Sequence, residues 1–319
     1  MENRRFVALG DLIADCYYNG TKLIGIEGGS SRFNVIANLA NMNCKNAVIG
    51  GCGNDKIGKT IFQRFENIGV DTSKIFFKDR KARAYHLTVN KDMLPKITYS
   101  CSKNSPKNGK SSWYEDSLDD IPYCNNQVRD SDVIVLDTVD EFSLKVSNDF
   151  KCDKVLDIGN PNCLDKLQDN QILSLMNKIQ ILQLNERVVP YLMQRFECTN
   201  ILDIYNLLKP KLMIVTHAKD GADFVWEDKV YRKKLLKSAK ELDATGAGDA
   251  FFSVFIKKYY DNSKRVDYEF IDRTFEEAVT LTSEVVQHIG ARGHLYEKKI
   301  NKSVQKYGTK DDAEETSKL

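Results

Sequence analysis

Short, mainly apolar runs alternate along the chain with segments in which apolar residues recur every three to four positions. Runs of four such residues are typical of strands that a parallel sheet buries on both faces. Residues 32–42 and 57–68 instead follow the helical period, so we expect helices there. The predicted strands are 6–9, 47–50, 133–136, 155–158, 179–182 and 212–215. Their alternation with helices predicts an α/β fold, a three-layer, doubly wound and mostly parallel sheet.

Two further stretches have the pattern of strands but no helices of their own. We expect strands at about 15–27 and 83–101 to form a small β appendage over one end of the sheet. The polar, turn-rich residues 102–112 predict an exposed loop. Residues 298–319 are highly charged and lack a core pattern, so we expect one domain over residues 1–297 and a frayed tail after it.

Composition places the chain among soluble globular proteins. Of its 319 residues, 42% are hydrophobic and 29% charged, and the formal net charge is +2. This balance gives no indication of a nucleic-acid or membrane partner. No apolar run approaches the ~20 residues of a membrane span, and the start leads into a strand rather than a secretory signal. We therefore expect a cytoplasmic protein whose eight scattered cysteines are reduced thiols and whose four histidines form no zinc site.

The most informative segment for chemistry is 242–251, which joins a charged loop to an amphipathic helix. Gly246 and Gly248 let the first-turn amides approach a ligand, and the helix dipole favours an anion there. Asp249 lies on the same turn, where a carboxylate could accept a hydroxyl proton while charge develops on a phosphoryl group. On spacing alone, an ordinary glycine-rich helix start explains the segment equally well.

A second motif points elsewhere. Residues 53–60 (GNDKIGKT) match the GxxxxGK[ST] pattern of a P-loop and lie between a predicted strand and a predicted helix. The alternative is a glycine-rich turn in which Lys59 and Thr60 are solvated.

Four groups of residues, in order and spread over nearly the whole chain, resemble the ribokinase-like (PfkB) family of carbohydrate kinases. In that family the glycine-rich turn at 51–58 belongs to the substrate side, so its resemblance to a P-loop is coincidental. The groups are 10–15 (GDLIAD); 29–34 (GSSRFN) with 51–58 and 69–71; Asn185 with 215–222; and 243–249 (DATGAGD), the family's most diagnostic signature.

The resemblance implies a role for each matching position. Asp249 would be the catalytic base, beside an anion hole formed by the amides of Gly246, Ala247 and Gly248. The remaining implied sites are Asp11, Asp15, Gly29 and Asn34 for the sugar; Asn185, Thr216, Gly221, Gly290 and Gly293 for ATP; and Asp243 and Thr245 for a monovalent cation such as K⁺. The β appendage would be the family's lid, which excludes water and often pairs two subunits into a homodimer.

The chain departs from the family pattern at several positions. Val188 replaces the glutamate linked to Mg²⁺, so Glu186, or water and the ATP phosphates, would hold the metal. Ser30 and Ala218 stand where the family has glycine. Arg32 could contact an anionic substrate, but near a helix start we expect it to be an exposed surface charge.

The sequence therefore predicts an ATP- and Mg²⁺-dependent kinase that phosphorylates a hydroxyl of a small-molecule carbohydrate. Two alternatives stay open: a nucleoside kinase of the same superfamily, and a catalytically silent relative that binds a ligand. Intact Asp249 and its glycines argue against the silent relative, whereas Val188 favours it. No motif identifies the acceptor.

Overall fold

The structure is a computed structural model that describes residues 4–19, 21–89, 95–97, 118–235 and 241–296. The predicted loop at 102–112, the end of the predicted strand at 98–101 and the charged tail lie outside the described residues.

All six predicted apolar runs fall within strands of the structure, most of which extend the run by one or more residues. The strands are β1 (Arg5–Leu9), β2 (Ile13–Asn19), β3 (Lys22–Gly28), β4 (Lys45–Gly53), β5 (Lys74–Lys78), β6 (Arg83–Val89), β7 (Pro95–Ile97), β8 (Val133–Leu136), β9 (Asp153–Ile158), β10 (Ile179–Asn185), β11 (Leu212–Thr216), β12 (Ala222–Trp226) and β13 (Lys229–Lys233). In the described residues, nine of them form one sheet in the order β13-β12-β11-β10-β9-β8-β1-β4-β5. Its strands are parallel from β5 to β11, and β12 and β13 are antiparallel additions at one edge.

Helices cover both faces of this sheet. They are α1 (Ser31–Asn41), α2 (Lys56–Asn67), α3 (Ile121–Asn125), α4 (Glu141–Asp149), α5 (Asp169–Met176), α6 (Val188–Arg195), α7 (Ile201–Leu208), α8 (Ala247–Asp261) and α9 (Tyr268–Val285). Helices α1, α2, α8 and α9 pack on one face, and α3 to α7 pack on the other. Within β1, Phe6 and Ala8 belong to the first core whereas Val7 and Leu9 belong to the second. This two-sided burial explains why the strands are apolar throughout, and it confirms the predicted three-layer fold.

The second sheet has the order β3-β2-β6-β7 and corresponds to the predicted β appendage. Its strand β2 pairs with β3 in antiparallel fashion and with β6 in parallel. At its edge, Leu23 and Ile24 of β3 are 41% and 44% exposed.

The parallel strands bring polar residues together at one edge of the large sheet. Because neighbouring parallel strands end on the same side, the residues at or just after their carboxyl ends become neighbours. These residues are Asp11 after β1, Asp137 after β8, Asp157 in β9, Asn185 in β10 and Thr216 in β11.

No helix within the described ranges is long and apolar enough to cross a membrane.

Candidate active site

The start of helix α8 forms the centre of the site. Gly246 caps the helix with φ +83°, and a Cβ there would lie 2.5 Å from the Cβ of Ala291, so only glycine fits. Asp249 lies in the first helical turn and is only 6% exposed. The side-chain amide of Asn34, on α1, donates to Asp249 Oδ2 at 2.7 Å. The structure thus joins two predicted site residues that are 215 positions apart.

The three residues of the predicted anion hole lie at this helix start. First-turn amides have no acceptor within the helix, so those of Gly248 and Asp249 are suited to an anion. The amide of Ala247 instead donates to the carbonyl of Ala244 at 3.1 Å, which closes the turn.

The Asp243 carboxylate ties this helix start to a distant segment of the chain. Its Oδ1 accepts from the amide of Thr245 at 2.9 Å, and its Oδ2 accepts from the amide of Gly290 at 2.8 Å. Within the segment 290–293, the amide of Gly293 donates a hydrogen bond to the carbonyl of Gly290 at 3.2 Å. Residues predicted for the cation and for the nucleotide therefore meet next to the start of α8.

Burial makes Asp249 a stronger base than an ordinary aspartate. Desolvation raises its pKa to about 6, against hydrogen bonds from Ser31 and Asn34 that favour the charged form. The negative charge of Asp137 adds to the rise, and the positive charge of Arg292 opposes it. A carboxylate with this basicity can accept a proton at neutral pH.

Sequence reasoning missed two residues beside Asp249. Asp157 is 6% exposed, and burial followed by the charge of Asp249 raises its pKa to about 7. The amide nitrogen Nε2 of Gln183 donates to Asp157 Oδ1 and to the carbonyl oxygen of Gly248, both at 3.1 Å. The available signal was a polar residue between two apolar neighbours, Asp157 between Leu156 and Ile158 in β9 and Gln183 between Leu182 and Leu184 in β10.

Three of the residues predicted for the sugar lie next to this centre. Burial raises the pKa of Asp15 to about 7, and the charge of Arg292 opposes that rise. A Cβ at Gly29 would come within 2.4 Å of Asp15 Oδ1, so this close approach requires glycine. The guanidinium of Arg292 is fully buried and donates from Nη2 to the Gly29 carbonyl at 3.3 Å. Asn34, Asp15 and Gly29 therefore lie on the same side of Asp249.

The fourth predicted sugar residue, Asp11, has a different environment. Its buried carboxylate forms ion pairs with Lys78 at 2.8 Å, with Arg83 at 3.5 Å and with Arg80. The structure therefore places it at the centre of a cationic cluster, and a contact with the sugar stays a prediction.

The expectation that Arg32 is an exposed surface charge is wrong. Its side chain is 4% exposed and forms an ion pair with Asp137 at 2.8 Å. The hydroxyl of Ser30 and the backbone amide of Arg32 donate to the same carboxylate. The counter-charge follows β8, 105 residues further along the chain, so local sequence gave no sign of it.

A cavity of about 450 Å³ opens beside this ion pair. Ser31 lines the cavity and also acts on the pKa of Asp249, so the cavity lies next to the catalytic centre. Most of its lining carries hydroxyl, amide or charged groups. The lining residues are Ile13, Ser30, Ser31, Arg32, Tyr85, Asp137, Thr138, Asn160, Asn162, Cys163 and Lys166.

The residues predicted for ATP cluster at the ends of β10 and β11. Asn185 and Thr216 are direct partners in the parallel register. Gly221 follows in the loop after β11. The backbone amide of His217 donates to the carbonyl of Gly221 at 2.9 Å and closes a turn there. Ala218 adopts φ +47°, a left-handed conformation in which the family's glycine would be unstrained.

Position 188, where the family has the glutamate linked to Mg²⁺, carries no acidic side chain in this protein. Val188 is fully buried and belongs to the core beneath α6. Glu186 is half exposed and lies 3.4 Å from His217 Nδ1, whose ring also contacts Asp223 at 2.9 Å. Within the described part of the chain, no group of three His, Cys, Asp or Glu side chains is arranged to hold a metal ion.

The P-loop pattern lacks the geometry of a phosphate cradle. The side chain of Asp55 caps α2 by accepting from the amide of Gly58 at 2.9 Å. The amide of Lys59 donates to the Asp55 carbonyl, and that of Asn54 donates to the carbonyls of Lys78 and Arg80. Amides that would have to bind phosphate are therefore used within the turn, which agrees with the family resemblance.

Comparison with known proteins supports the same family. The profile described as pfkB family carbohydrate kinase matches residues 27–297. No curated protein matches the chain significantly.

Solved structures share the fold at low identity. A ribokinase from Thermotoga maritima is 16% identical, with a TM-score of 0.67, covering 93% of this chain and 99% of its own. A Burkholderia thailandensis nucleoside kinase in complex with inosine is 12% identical, with a TM-score of 0.68, covering 95% and 98%. A Vibrio cholerae fructokinase double mutant with fructose, ADP and potassium bound is 17% identical, with a TM-score of 0.64, covering 91% and 94%. With the profile match over most of its length, the chain belongs to the pfkB family of carbohydrate kinases.

Proposed function

We propose that the protein is an ATP-dependent sugar kinase that transfers the γ-phosphoryl group to a hydroxymethyl group of its acceptor. The observation that carries this proposal is the position of Asp249. Its buried carboxylate, held by Asn34 at 2.7 Å, lies on the same helical turn as the amides suited to an anion. A base and an anion site at one point are what hydroxyl phosphorylation requires.

In the proposed reaction, Asp249 accepts the proton of the acceptor hydroxyl as its oxygen attacks the γ-phosphorus. A bond forms between that oxygen and phosphorus, the bond to the β–γ bridging oxygen breaks, and ADP leaves. Amides at the start of α8, including those of Gly246 and Gly248, stabilise the charge on the phosphoryl oxygens. Burial of Asp249 excludes water that would otherwise compete as the acceptor.

The cavity next to Ser31 carries side-chain groups that suit a sugar. A polyol calls for many hydrogen-bonding groups. Within the lining, Asn160, Asn162 and Lys166 offer such groups. In this proposal Asp15, Gly29 and Asn34 bind the hydroxyls nearest to Asp249, and Asp11 supports them through its ion-pair cluster.

ATP is proposed to lie across the ends of β10 and β11, against Asn185, Thr216 and Gly221, with Gly290 and Gly293 closing the adenine end. The Asn185 amide oxygen and the Glu186 carboxylate are the kinds of oxygen ligand that Mg²⁺ takes, with water and phosphate oxygens completing its coordination. When bound, Mg²⁺ neutralises phosphate charge. Buried Val188 cannot contribute a ligand.

We also propose a cation site, a lid and a subunit interface. The loop that Asp243 and Thr245 share with the Gly290 segment is proposed to bind a monovalent cation such as K⁺. The small sheet is proposed to act as a lid on a kinase domain of residues 1–297, with its exposed β3 edge pairing two subunits. We also propose a cytoplasmic location.

The experiment is ADP production from MgATP across a panel of sugars and nucleosides, with Asp249→Asn beside the wild type. The expected result is turnover on one sugar that the substitution abolishes. Turnover restricted to nucleosides would replace the sugar with a nucleoside acceptor. ADP release that ignores every acceptor and survives the substitution would refute the kinase assignment, and ligand binding without any turnover would favour the silent relative.

A further inference from the structure

A buried histidine stands at one end of a hydrogen-bond network that leads to Asp249. Nε2 of His294 lies 3.1 Å from Asn38 Oδ1, and Asn38 Nδ2 donates to the backbone carbonyl of Asn34 at 3.0 Å. Asn34 Nδ2 in turn donates to Asp249 Oδ2 at 2.7 Å. All four residues are between 0% and 6% exposed. The sequence motifs account for Asn34 and Asp249 but assign no role to Asn38 and His294.

The chemistry of the groups fixes the direction of each bond in this network. Asp249 accepts through a carboxylate oxygen, so Asn34 presents its Nδ2 there. A backbone carbonyl can only accept, so Asn38 turns Nδ2 toward Asn34 and Oδ1 toward His294. His294 must then carry its proton on Nε2, and the ring holds the Asn38 amide in a single orientation.

Asn34 lies between two anchored turns of α1. Ser30 and Asn38 are one helical turn before and after it, on the same face of the helix. The hydroxyl of Ser30 donates to Asp137, and the carbonyl of Ser30 accepts from the Asn34 amide at 3.1 Å. Asn38 is bound by His294, 256 positions away. A movement of α1 that lengthened the contact between Asn34 and Asp249 would have to break one of these anchors.

The segment that carries His294 also contacts the proposed anion hole. The amide of Gly290 donates to Asp243 Oδ2 at 2.8 Å, and Ala291 lies against Gly246, where an added Cβ would come within 2.5 Å of its Cβ. Residues 290–294 therefore support both the helix that holds the base and the turn that begins α8. Packing alone does not explain a buried histidine and asparagine here, because apolar side chains of the same shape would leave no polar group to satisfy.

We propose that His294 and Asn38 are positioning residues for the base, which hold Asn34 so that its amide stays on Asp249. This inference rests on the proposed kinase function. Neither residue touches the reacting atoms in this proposal, and both act through Asn34. The Oδ1 atom of Asn34 is buried without a hydrogen-bond partner among the described residues, so the same support fixes an oxygen that can accept from the acceptor hydroxyl.

The first test compares His294→Leu with His294→Gln. The two new side chains are similar in size, but the glutamine amide nitrogen reaches about as far as Nε2 of histidine and can still donate to Asn38. His294→Leu should lose on the order of 10–10² in kcat, because small misplacements of catalytic groups are costly. Its acid limb should move to higher pH by about 0.5–1 unit, because a weaker bond from Asn34 disfavours ionised Asp249. His294→Gln should keep the kcat and the pH profile of the wild type.

The other charged groups that act on Asp249 are unchanged in each of these variants, so a movement of the acid limb reports on Asn34. They are Asp15 of β2, Asp137 after β8, Asp157 of β9 and Arg292.

Asn38→Leu tests the next residue of the network, and His288→Leu serves as the control. His288 belongs to the same part of the chain, and its ring centroid is 6.4 Å from that of His294, but its Nδ1 contacts the carbonyl of Glu284. Asn38→Leu should reproduce the loss and the pH shift of His294→Leu, and the double variant should be no worse than either single variant. His288→Leu should retain the wild-type profile.

A merely structural role would lower stability without moving the acid limb and without rescue by glutamine. Wild-type kcat and pH profiles in folded His294→Leu and Asn38→Leu would overturn the proposal, as would a His294→Gln variant as impaired as His294→Leu. If one leucine variant fails to fold, the other decides the question.

A second readout needs no acceptor and so separates this inference from the proposed function. The carboxyl ¹³C resonance of Asp249, identified by its absence in Asp249→Asn, is titrated in aspartate-labelled protein without substrate. Its midpoint should rise in His294→Leu and Asn38→Leu and stay at the wild-type value in His294→Gln and His288→Leu. An unchanged midpoint in all variants of an active kinase would overturn this inference alone. The expected shifts in a protein that phosphorylates nothing would support the network and refute the proposed function instead.

Discussion

Replacing Gly246 by alanine tests whether the catalytic helix start depends on its contact with the Gly290–Gly293 segment. Gly246 has φ +83°, and a Cβ would lie 2.5 Å from the Cβ and 2.6 Å from the Cα of Ala291. Gly69 offers a matched control because it has φ +85° but no atom within 4 Å of an added Cβ. The two substitutions therefore share the backbone strain, and only Gly246→Ala adds a clash.

The expected magnitudes follow from these two terms. The left-handed conformation should cost about 1–2 kcal/mol in either variant. Overpacking against Ala291, which is fully buried, should add about 1–3 kcal/mol in Gly246→Ala alone. The total for Gly246→Ala is then about 2–5 kcal/mol of the free energy of unfolding. Because the strained turn also carries the proposed anion hole, turnover should fall in Gly246→Ala and stay at the wild-type level in Gly69→Ala.

The assay is urea-induced unfolding followed by circular dichroism, with turnover measured on the same preparations. Equal losses of stability in the two variants would show that the contact between Gly246 and Ala291 carries no energy. Unchanged turnover in Gly246→Ala would refute the dependence of the anion hole on this turn.

Four further outcomes are expected. Asp249→Asn should keep ATP binding, measured by calorimetry, and lose on the order of 10²–10⁴ in turnover; retained turnover would exclude it as the base. Wild-type turnover should fall as pH decreases below about 6, since protonation of Asp249 removes the base; a flat profile from pH 5 to 8 would contradict this. Lys59→Ala should leave ATP affinity unchanged because Asp55 already engages the Gly58 amide; a collapse of ATP binding would restore the P-loop hypothesis. Arg32→Met should lower the free energy of unfolding by about 3–5 kcal/mol, measured in urea, because it leaves Asp137 without its buried partner; a loss below 1 kcal/mol would refute that dependence.

The sequence alone was sufficient for the features that depend on neighbouring residues. A strand buried on both faces must be apolar at successive positions, so β1, β8 and β11 were visible as short runs. The base was predictable for a similar reason, since glycines and Asp249 at a helix start lie within one turn and form a local motif. Family resemblance then assigned the motif a chemistry that spacing alone left open.

Only the tertiary structure decided which charged groups face each other. Local pattern reports whether a position tends to be buried, but it does not name a partner, and charged residues enter the interior only with one. Arg32 was misjudged because its partner Asp137 comes 105 residues later, and the Asn34–Asp249 contact spans 215. Asp157 and Gln183 escaped prediction because a polar residue between apolar neighbours in a strand does not name its partner, and the contacts of Gln183 with Asp157 and Gly248 form only where α8 meets β9 and β10.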